Sequence, residues 1–348
     1  GWMNDTLHYM QTDFPWRPGN YRMLTFSSMY QFNENFILPL SHDEVVNGKC
    51  SLITRMPGDY WRQFAGMRAL AFYQMTHPGG KLNFMGNEIA QFIEWRYYEG
   101  IQYFLSEQYD THRHQQRFVR HLNRFYNEHP TLWQRAFESD GFEWIDADNA
   151  DQSIISFIRR GDDPKEDLVV LINFDVNARE DFRMGVPEWG VYEELFNTDN
   201  ERFGGSGVLN TGKIKCQDEP WNGREQSIVV RVPPLGGMIL KKTGAQRRPA
   251  KKTASSGAAK AKKPASKAQA KKAAEKDAKP AAKKAATKKP AAKRKPKSSG
   301  TPAAPKSPPS SPASMPPTGC GPQPTASGFW TRSPSRTTTR PSRTCTTA

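Results

Sequence analysis

Residues 33–46 read NENFILPLSHDEVV, and this stretch decides the fold class. A short apolar run at 36–40 leads directly into the polar cluster SHDE at 41–44. A continuous apolar run of this length indicates a strand buried on both faces, as in a parallel sheet. The polar cluster then lies at the carboxyl end of that strand.

The sequence on either side of the next turn continues this pattern. Residues 60–77 place apolar side chains at helical spacing, with Asp59 as the N-cap and PGG at 78–80 as the stop signal. Residues 81–85 form a second short predicted strand, and residues 112–128 a second predicted helix. Strands that alternate with helices, with polar residues after each strand, are typical of a parallel barrel or a doubly wound sheet.

The pattern changes near Trp133, where short β-type runs replace the helices. Clusters of Asp, Asn, Gly and Pro separate these runs, which is typical of an antiparallel β-sandwich. We therefore expect an α/β part at residues 1–132 and an all-β part at residues 133–242. The predicted strands lie at residues 142–145, 153–158, 167–172, 192–195 and 227–232.

Charge divides the chain into two unlike portions. Residues 1–242 carry 25 basic and 33 acidic side chains, whereas residues 243–348 carry 25 basic and 2 acidic ones. Residues 243–300 are rich in Lys, Ala and Pro and have almost no large apolar residue, so we expect a disordered tail. Residues 301–348 form a low-complexity segment rich in Pro, Ser and Thr.

The basic tail at 243–300 carries 20 basic and 2 acidic residues. Such a charge density predicts binding to nucleic acids or other polyanions without sequence preference, through counterion release. The alternative is a tail that improves solubility and has no partner.

Several classes of protein are disfavoured by composition. The four cysteines are far apart and form no CxxC pair, which argues against a zinc site, and we expect no metal and no cofactor. No apolar run reaches the ~18 residues that a membrane span needs. We expect a cytoplasmic protein.

His42 and Asp43 are the first candidates for chemistry. In a (β/α)8 barrel the carboxyl ends of the strands form the active site. A carboxylate beside an imidazole there can bond sugar hydroxyls and stabilise positive charge that develops on a sugar ring. The alternative for this pair is a structural or capping role.

Further candidates follow the second predicted strand. Glu88 either lines the same pocket or makes structural hydrogen bonds. Exposed aromatic rings suit the flat faces of sugars, although aromatic residues at such positions also build cores, and both possibilities stay open for Trp61, Trp95, Tyr97 and Tyr98. His112 and His114 are two residues apart, a spacing that does not face a shared metal on a helix, and we expect both on the surface.

Several longer stretches resemble bacterial glycogen branching enzymes of the alpha-amylase superfamily. The most specific are LPLSHDEVVNGKCSLITRMPGDYWRQFAGMRAL at 38–70 and KLNFMGNEIAQFIEW at 81–95. The resemblance extends over residues 1 to about 242, through GWMNDTLHYM, HPTLWQRAFESDGFEWIDADN and SIVVRVPPLGGMILKK. It implies the C-terminal portion of a (β/α)8 TIM barrel followed by an antiparallel β-sandwich.

The resemblance also implies a retaining reaction on α-1,4-glucan or glycogen that uses three carboxylates. Asp43 matches the third carboxylate, and His42 matches its neighbour that contacts the sugar. The nucleophile and the acid/base fall upstream of Gly1, so we expect this chain to be inactive by itself. Two positions depart from the family: Asn47 replaces its usual His and Cys50 its usual Lys, which puts details of acceptor binding in doubt.

Other functions remain open beside the branching enzyme. One is a different glucan hydrolase of the same superfamily, and another is a non-catalytic glucan-binding protein. A third, from a separate class, is a polyanion-binding protein whose basic tail is the functional part.

Overall fold

The computed structural model describes residues 1–249. The predicted tail at 243–300 and the segment at 301–348 therefore lie outside the described residues, apart from residues 243–249. None of the described helices has the length and hydropathy that crossing a bilayer requires. The first elements are α1 (Trp2–Gln11), α2 (Arg17–Asn20), α3 (Arg22–Thr25), β1 (Ile37–Leu40), α4 (Leu52–Arg55), α5 (Tyr60–Thr76), β2 (Gly80–Asn83), α6 (Phe104–Gln108) and α7 (Asp110–Glu128).

Helix α5 begins and ends where its sequence predicts. The side chain of Asp59 accepts a hydrogen bond from the backbone N–H of Arg62 at 2.9 Å, which satisfies one of the free amides of the first turn. The helix stops before Pro78, and Gly79 then takes a positive φ of 112° that suits glycine.

Strands β1 and β2 pair in parallel, with Ile37 opposite Gly80 and Leu40 opposite Asn83. Parallel neighbours need a crossover connection, and α5 supplies it. The amide of Gln74 in α5 donates to the carbonyl oxygens of Leu38 and Leu82, both at 2.8 Å. One side chain thus fixes the helix against both strands, and the predicted strand–helix–strand unit is confirmed.

The prediction that β1 is buried on both faces is wrong. Leu38 and Leu40 are buried, but Ile37 is 58% exposed. The packing within residues 1–249 covers only the face that carries the two leucines, so the side chains of this strand alternate between core and surface.

The all-β part contains an antiparallel six-stranded sheet and an antiparallel pair. The sheet has the order β3-β4-β5-β10-β7-β8, and β6 pairs with β9. This arrangement confirms the predicted antiparallel architecture. The strands are β3 (Phe142–Asn149), β4 (Ile154–Arg159), β5 (Leu168–Asn173), β6 (Arg179–Gly185), β7 (Val191–Asn197), β8 (Ile214–Lys215), β9 (Ser227–Val232) and β10 (Gly236–Gly244).

Three of these strands, β6, β8 and β10, are absent from the predicted set. Strand β6 reads REDFRMG and is largely polar, whereas β10 begins with two glycines and ends with KKTG. Neither has the regular alternation that marks a half-buried strand. Strand β10 nonetheless lies between β5 and β7 in the sheet, because its residues 236–240 are buried by tertiary packing.

Two buried arginines connect the α/β part to the all-β part. Arg159 of β4 donates to the carbonyl oxygens of Thr76 at 2.7 Å and Leu132 at 3.0 Å. Arg17 donates to that of Phe174 at 2.5 Å. Burial lowers the pKa of each guanidinium to about 10, so both remain charged at neutral pH. The division at residues 132 and 133 stays a prediction.

The same two parts share one hydrophobic core. Phe72 of α5 stacks on Phe196 of β7 with 6.0 Å between ring centroids. Gly237 of β10 permits this close approach, since a Cβ atom there would lie 2.4 Å from a ring carbon of Phe72 and 2.9 Å from the carbonyl oxygen of Leu171. Real Cβ atoms do not come this close, so position 237 requires glycine.

We therefore predict that Gly237→Ala lowers the free energy of unfolding by about 2 kcal/mol through overpacking. Gly19→Ala is the matched control, because a Cβ at Gly19 would have no neighbour within 4 Å. Urea unfolding followed by intrinsic fluorescence measures both variants. Equal midpoints for the two alanine variants would show that the Phe72–Gly237 contact does not constrain the fold.

Candidate functional site

His42 and Asp43 lie on a single 3-10 turn, His42–Glu44, that follows β1 directly. His42 Nε2 is 3.3 Å from Asp43 Oδ1, and Ser41 Oγ donates to Asp43 Oδ2 at 3.2 Å. The side chains of His42 and Asp43 remain 51% and 67% exposed. The structure therefore brings the two predicted residues together and leaves the carboxylate open to a ligand.

The imidazole of His42 rests against two aromatic rings. Its centroid lies 5.5 Å from that of Phe84 and 5.9 Å from that of Trp95. Phe84 and Trp95 contact each other edge to face at 5.3 Å, an arrangement that aromatic quadrupoles favour. The backbone N–H of Phe84 also donates to Leu40 O at 3.0 Å, so the aromatic support is fixed to the end of β1.

Glu44 connects the turn to the following loop. Its carboxylate accepts hydrogen bonds from Lys49 Nζ at 2.9 Å and Arg55 Nη1 at 3.2 Å, while Lys49 also donates to Asp43 O at 2.8 Å. Burial alone would raise the pKa of Glu44, but the hydrogen bonds from Lys49 and Arg55 outweigh it and the pKa is lowered. The ion pairs of Glu44 with Lys49 and Arg55 thus hold the backbone segment that carries Asp43.

Glu94 holds the same loop from the opposite side. Its carboxylate accepts the backbone N–H of Gly48 at 3.0 Å and that of Cys50 at 2.5 Å. Asn47, Gly48 and Cys50 all have positive φ, between 57° and 79°. Asn and Gly visit this region readily, whereas Cys does so rarely, so the carboxylate of Glu94 helps to maintain a costly backbone.

Sequence reasoning singled out neither Glu44 nor Arg55 nor Glu94. A signal was nevertheless present, because Glu44 belongs to the HDEVV motif, Arg55 begins RMPGD and Glu94 belongs to FIEW. These residues support the site through the loop backbone, and isolated motifs do not reveal which backbone groups need partners.

Glu88 lies just after β2, the strand beside β1. Both oxygens of its carboxylate are engaged within its own loop: Oε2 accepts from Gly86 N at 2.7 Å and Oε1 from Tyr103 OH at 2.9 Å. This hydrogen bond to a carboxylate raises the pKa of Tyr103. The neighbouring Asn87 donates to Leu40 O at 3.2 Å, so the ends of the two strands are joined through Asn87.

The four aromatic candidates separate into two groups. Trp61 donates its indole N–H to Gly204 O at 3.0 Å, and Trp95 packs against the core beside His42. Tyr97 and Tyr98, in contrast, are 85% and 66% exposed. Of the four candidates, Tyr97 and Tyr98 are therefore the two whose rings are freely accessible to a ligand.

The prediction that His112 lies on the surface is wrong. Its side chain is buried, Nδ1 is 2.7 Å from Ile89 O, and its ring meets those of Phe64 and Phe92 edge to face at 5.0 and 5.2 Å. Burial lowers the pKa of its imidazole. The His112 imidazole has one hydrogen-bond partner on the backbone and packs among these rings as another aromatic side chain would.

Residues 1–249 contain no cluster of three or more His, Cys, Asp or Glu that could hold a metal ion.

Known proteins resemble this chain in both of its folded parts. Residues 144–243 match the family described as alpha amylase, C-terminal all-beta domain. The 1,4-alpha-glucan branching enzyme GlgB of Halothermothrix orenii is 50% identical over 241 residues, which cover 69% of this chain and 38% of that enzyme. The branching enzyme GlgB of Desulfitobacterium hafniense is 51% identical over 241 residues, which cover 69% of this chain and 38% of that enzyme. The branching enzyme GlgB of Clostridium perfringens is 47% identical over 242 residues, which cover 69% of this chain and 37% of that enzyme.

The antiparallel sheets of the all-β part agree with the match of residues 144–243 to the alpha-amylase C-terminal all-beta domain. The resemblance to 1,4-alpha-glucan branching enzymes that the sequence motifs indicate is confirmed. The chain spans somewhat less than two fifths of the length of these relatives.

We predict a pH-dependent stability effect at Glu44. Its lowered pKa means that its ion pairs contribute stability above its usual pKa near 4.5, and that this contribution is lost as the pH falls through the lower folded value. Glu44→Gln should therefore cost about 2 kcal/mol at pH 7 and progressively less below pH 4. Urea midpoints across this range measure the difference.

Glu180→Gln is the control for this prediction. Glu180 pairs with Arg231 in an exposed ion pair on the all-β part, and screening by solvent should leave its substitution without a measurable effect. A deficit in Glu44→Gln that stays constant from pH 7 to pH 3 would contradict the role of its charge.

Proposed function

We propose that this chain contributes the third catalytic carboxylate and the C-terminal β-domain of a 1,4-α-glucan branching activity. The observation that carries the proposal is the exposed His42–Asp43 pair at the carboxyl end of β1, in a chain that is 50% identical to a branching enzyme over 241 residues. The relatives at 47–51% identity also favour branching over hydrolysis by another superfamily member.

The proposed reaction cuts an α-1,4 link and joins the released chain to a C6 hydroxyl through an α-1,6 link. Retention of configuration requires two displacements, with a nucleophile and an acid/base in addition to Asp43. Asp43 carries negative charge toward the sugar ring where positive charge develops, and its interaction is therefore stronger in the transition state than with bound glucan. His42 contacts a sugar hydroxyl before and during the reaction.

Glu88 takes a supporting role in this proposal. Its two oxygens already accept hydrogen bonds from Gly86 and Tyr103, so it orders the loop after β2. Binding of glucan in the absence of catalysis remains the alternative for this chain by itself, because only one of the three expected carboxylates matches a position in it. The expected cytoplasmic location also stays a prediction.

A chimera tests the catalytic proposal. The N-terminal three fifths of the Halothermothrix orenii enzyme, joined ahead of Gly1, should branch amylose, while the present chain alone should not. In the chimera Asp43→Asn should lower kcat by about a hundredfold or more, since loss of a charge contact in a water-poor site costs ~3 kcal/mol. KM should change little.

His42→Ala in the same chimera should affect both kcat and KM, because its contact exists in both states. The iodine complex of amylose and the count of new α-1,6 links report activity, and the melting temperature reports folding. An Asp43→Asn chimera that is less stable but fully active per folded molecule would end the catalytic assignment. Sustained branching by the present chain alone would show that Asp43 needs no further carboxylate.

A second proposed function rests on the 20 basic residues of the segment 243–300, which lies outside the described residues beyond Pro249. We expect the full chain to retain duplex DNA at 50 mM salt and to lose it near 200 mM. A chain that ends at Pro249 should not retain DNA at either concentration, and glucan binding should be the same for both. Retention that persists after truncation would move polyanion binding to the folded part.

A further inference from the structure

Two tyrosine rings project into solvent beside the candidate site. Tyr97 is 85% exposed and Tyr98 66%, and their ring centroids are 5.1 Å apart at an interplanar angle of 90°. Large aromatic side chains exposed next to each other are uncommon on a folded surface unless they contact a ligand or a partner. Their exposure is therefore a feature that needs a cause.

A closed turn holds both rings in this position. Arg96 Nη1 donates to Glu99 Oε1 at 2.9 Å, and the backbone N–H of Glu99 donates to Arg96 O at 3.2 Å. Tyr97 and Tyr98 are the two central residues between these partners. The turn presents the rings outward with a fixed backbone, which reduces the entropy lost when a ligand binds.

The tyrosine turn is joined to the support of His42. Trp95 precedes Arg96 directly, contacts the imidazole of His42 at 5.9 Å and donates its backbone N–H to Val45 O at 2.8 Å. The preceding residue, Glu94, binds two amides of the loop after Asp43. The tyrosine turn thus begins one residue beyond a side chain that touches the candidate site.

We propose that Tyr97 and Tyr98 bind an α-1,4-glucan chain outside the point of cleavage, by stacking on the C–H faces of its glucose rings. This inference takes its substrate class from the proposed function. A pyranose ring is flat and apolar on its face and polar at its rim, which matches a tyrosine ring flanked by Arg96 and Glu99.

The side chains should act through ring contact, so size and flatness matter more than the hydroxyl group. In the chimera, combined Tyr97→Ala and Tyr98→Ala should raise KM for amylose about tenfold, which corresponds to about 1.4 kcal/mol. The value of kcat should stay within about twofold, because uniform binding is lost. Tyr97→Phe with Tyr98→Phe should restore KM.

Trp16→Ala is the matched control, because Trp16 is 71% exposed on the segment before β1 and has no ring contact with the tyrosine turn. The full chain without the N-terminal addition provides a separate readout, its retardation in gels that contain glycogen. The alanine pair should abolish most of that retardation, and the phenylalanine pair and Trp16→Ala should not.

The KM of the chimera and the gel retardation of the chain alone separate this inference from the proposed function. An active chimera whose KM is unchanged by the alanine pair would overturn the tyrosine site and leave the branching proposal intact. An inactive chimera combined with retardation that depends on Tyr97 and Tyr98 would support the tyrosine site and count against catalysis. Absence of retardation in the unsubstituted chain, together with an unchanged KM, would also overturn the tyrosine site.

Discussion

The position of helix α5 between two sheets is the constraint on which the rest of the structure depends. Gln74 binds the carbonyl groups of β1 and β2 from one side of the helix, and Phe72 packs against Gly237 of β10 from another. The parallel pairing of β1 with β2 sets where the turn His42–Glu44 begins. The same helix also contacts β5 and β10 of the six-stranded sheet, so it links the all-β part to the two strands that precede the site.

The carboxylates around this turn have different tasks, and their hydrogen bonds distinguish them. Glu44, Glu88 and Glu94 each accept two or more hydrogen bonds from nearby amides, hydroxyls or cations, which fixes their orientation. The side-chain carboxylate of Asp43 accepts a hydrogen bond from Ser41 and lies beside His42 with most of its surface exposed. The fixed carboxylates hold the loops, whereas the Asp43 carboxylate remains accessible. A preorganised loop costs little further ordering when charge develops near it.

The sequence predicted the elements whose signals are local. Asp59 and Pro78 delimit α5, and the apolar run before His42 gives β1, as the structure confirms. It did not predict β10, whose glycines carry no strand signal and whose burial depends on Phe72, a residue far away in the chain. The burial of His112 has the same origin, since the Phe64 and Phe92 rings that enclose it come from other elements.

At the site, motifs indicated His42 and Asp43, whereas the supporting roles of Glu44 and Glu94 depend on contacts that form only in the folded loop.

The two departures from the family motif, at Asn47 and Cys50, can be understood from the same loop. Both residues have positive φ, and the amides that Glu94 binds belong to Gly48 and Cys50. These two hydrogen bonds go to backbone amides, so neither of them depends on the side chain at position 47 or 50. Asparagine is among the residues that tolerate a left-handed conformation best, which makes position 47 permissive. A substitution there changes the polar group that the loop presents, while the turn that carries Asp43 is held by Glu44, Lys49 and Arg55. The loop therefore separates the side chain presented at position 47 from the backbone that positions Asp43.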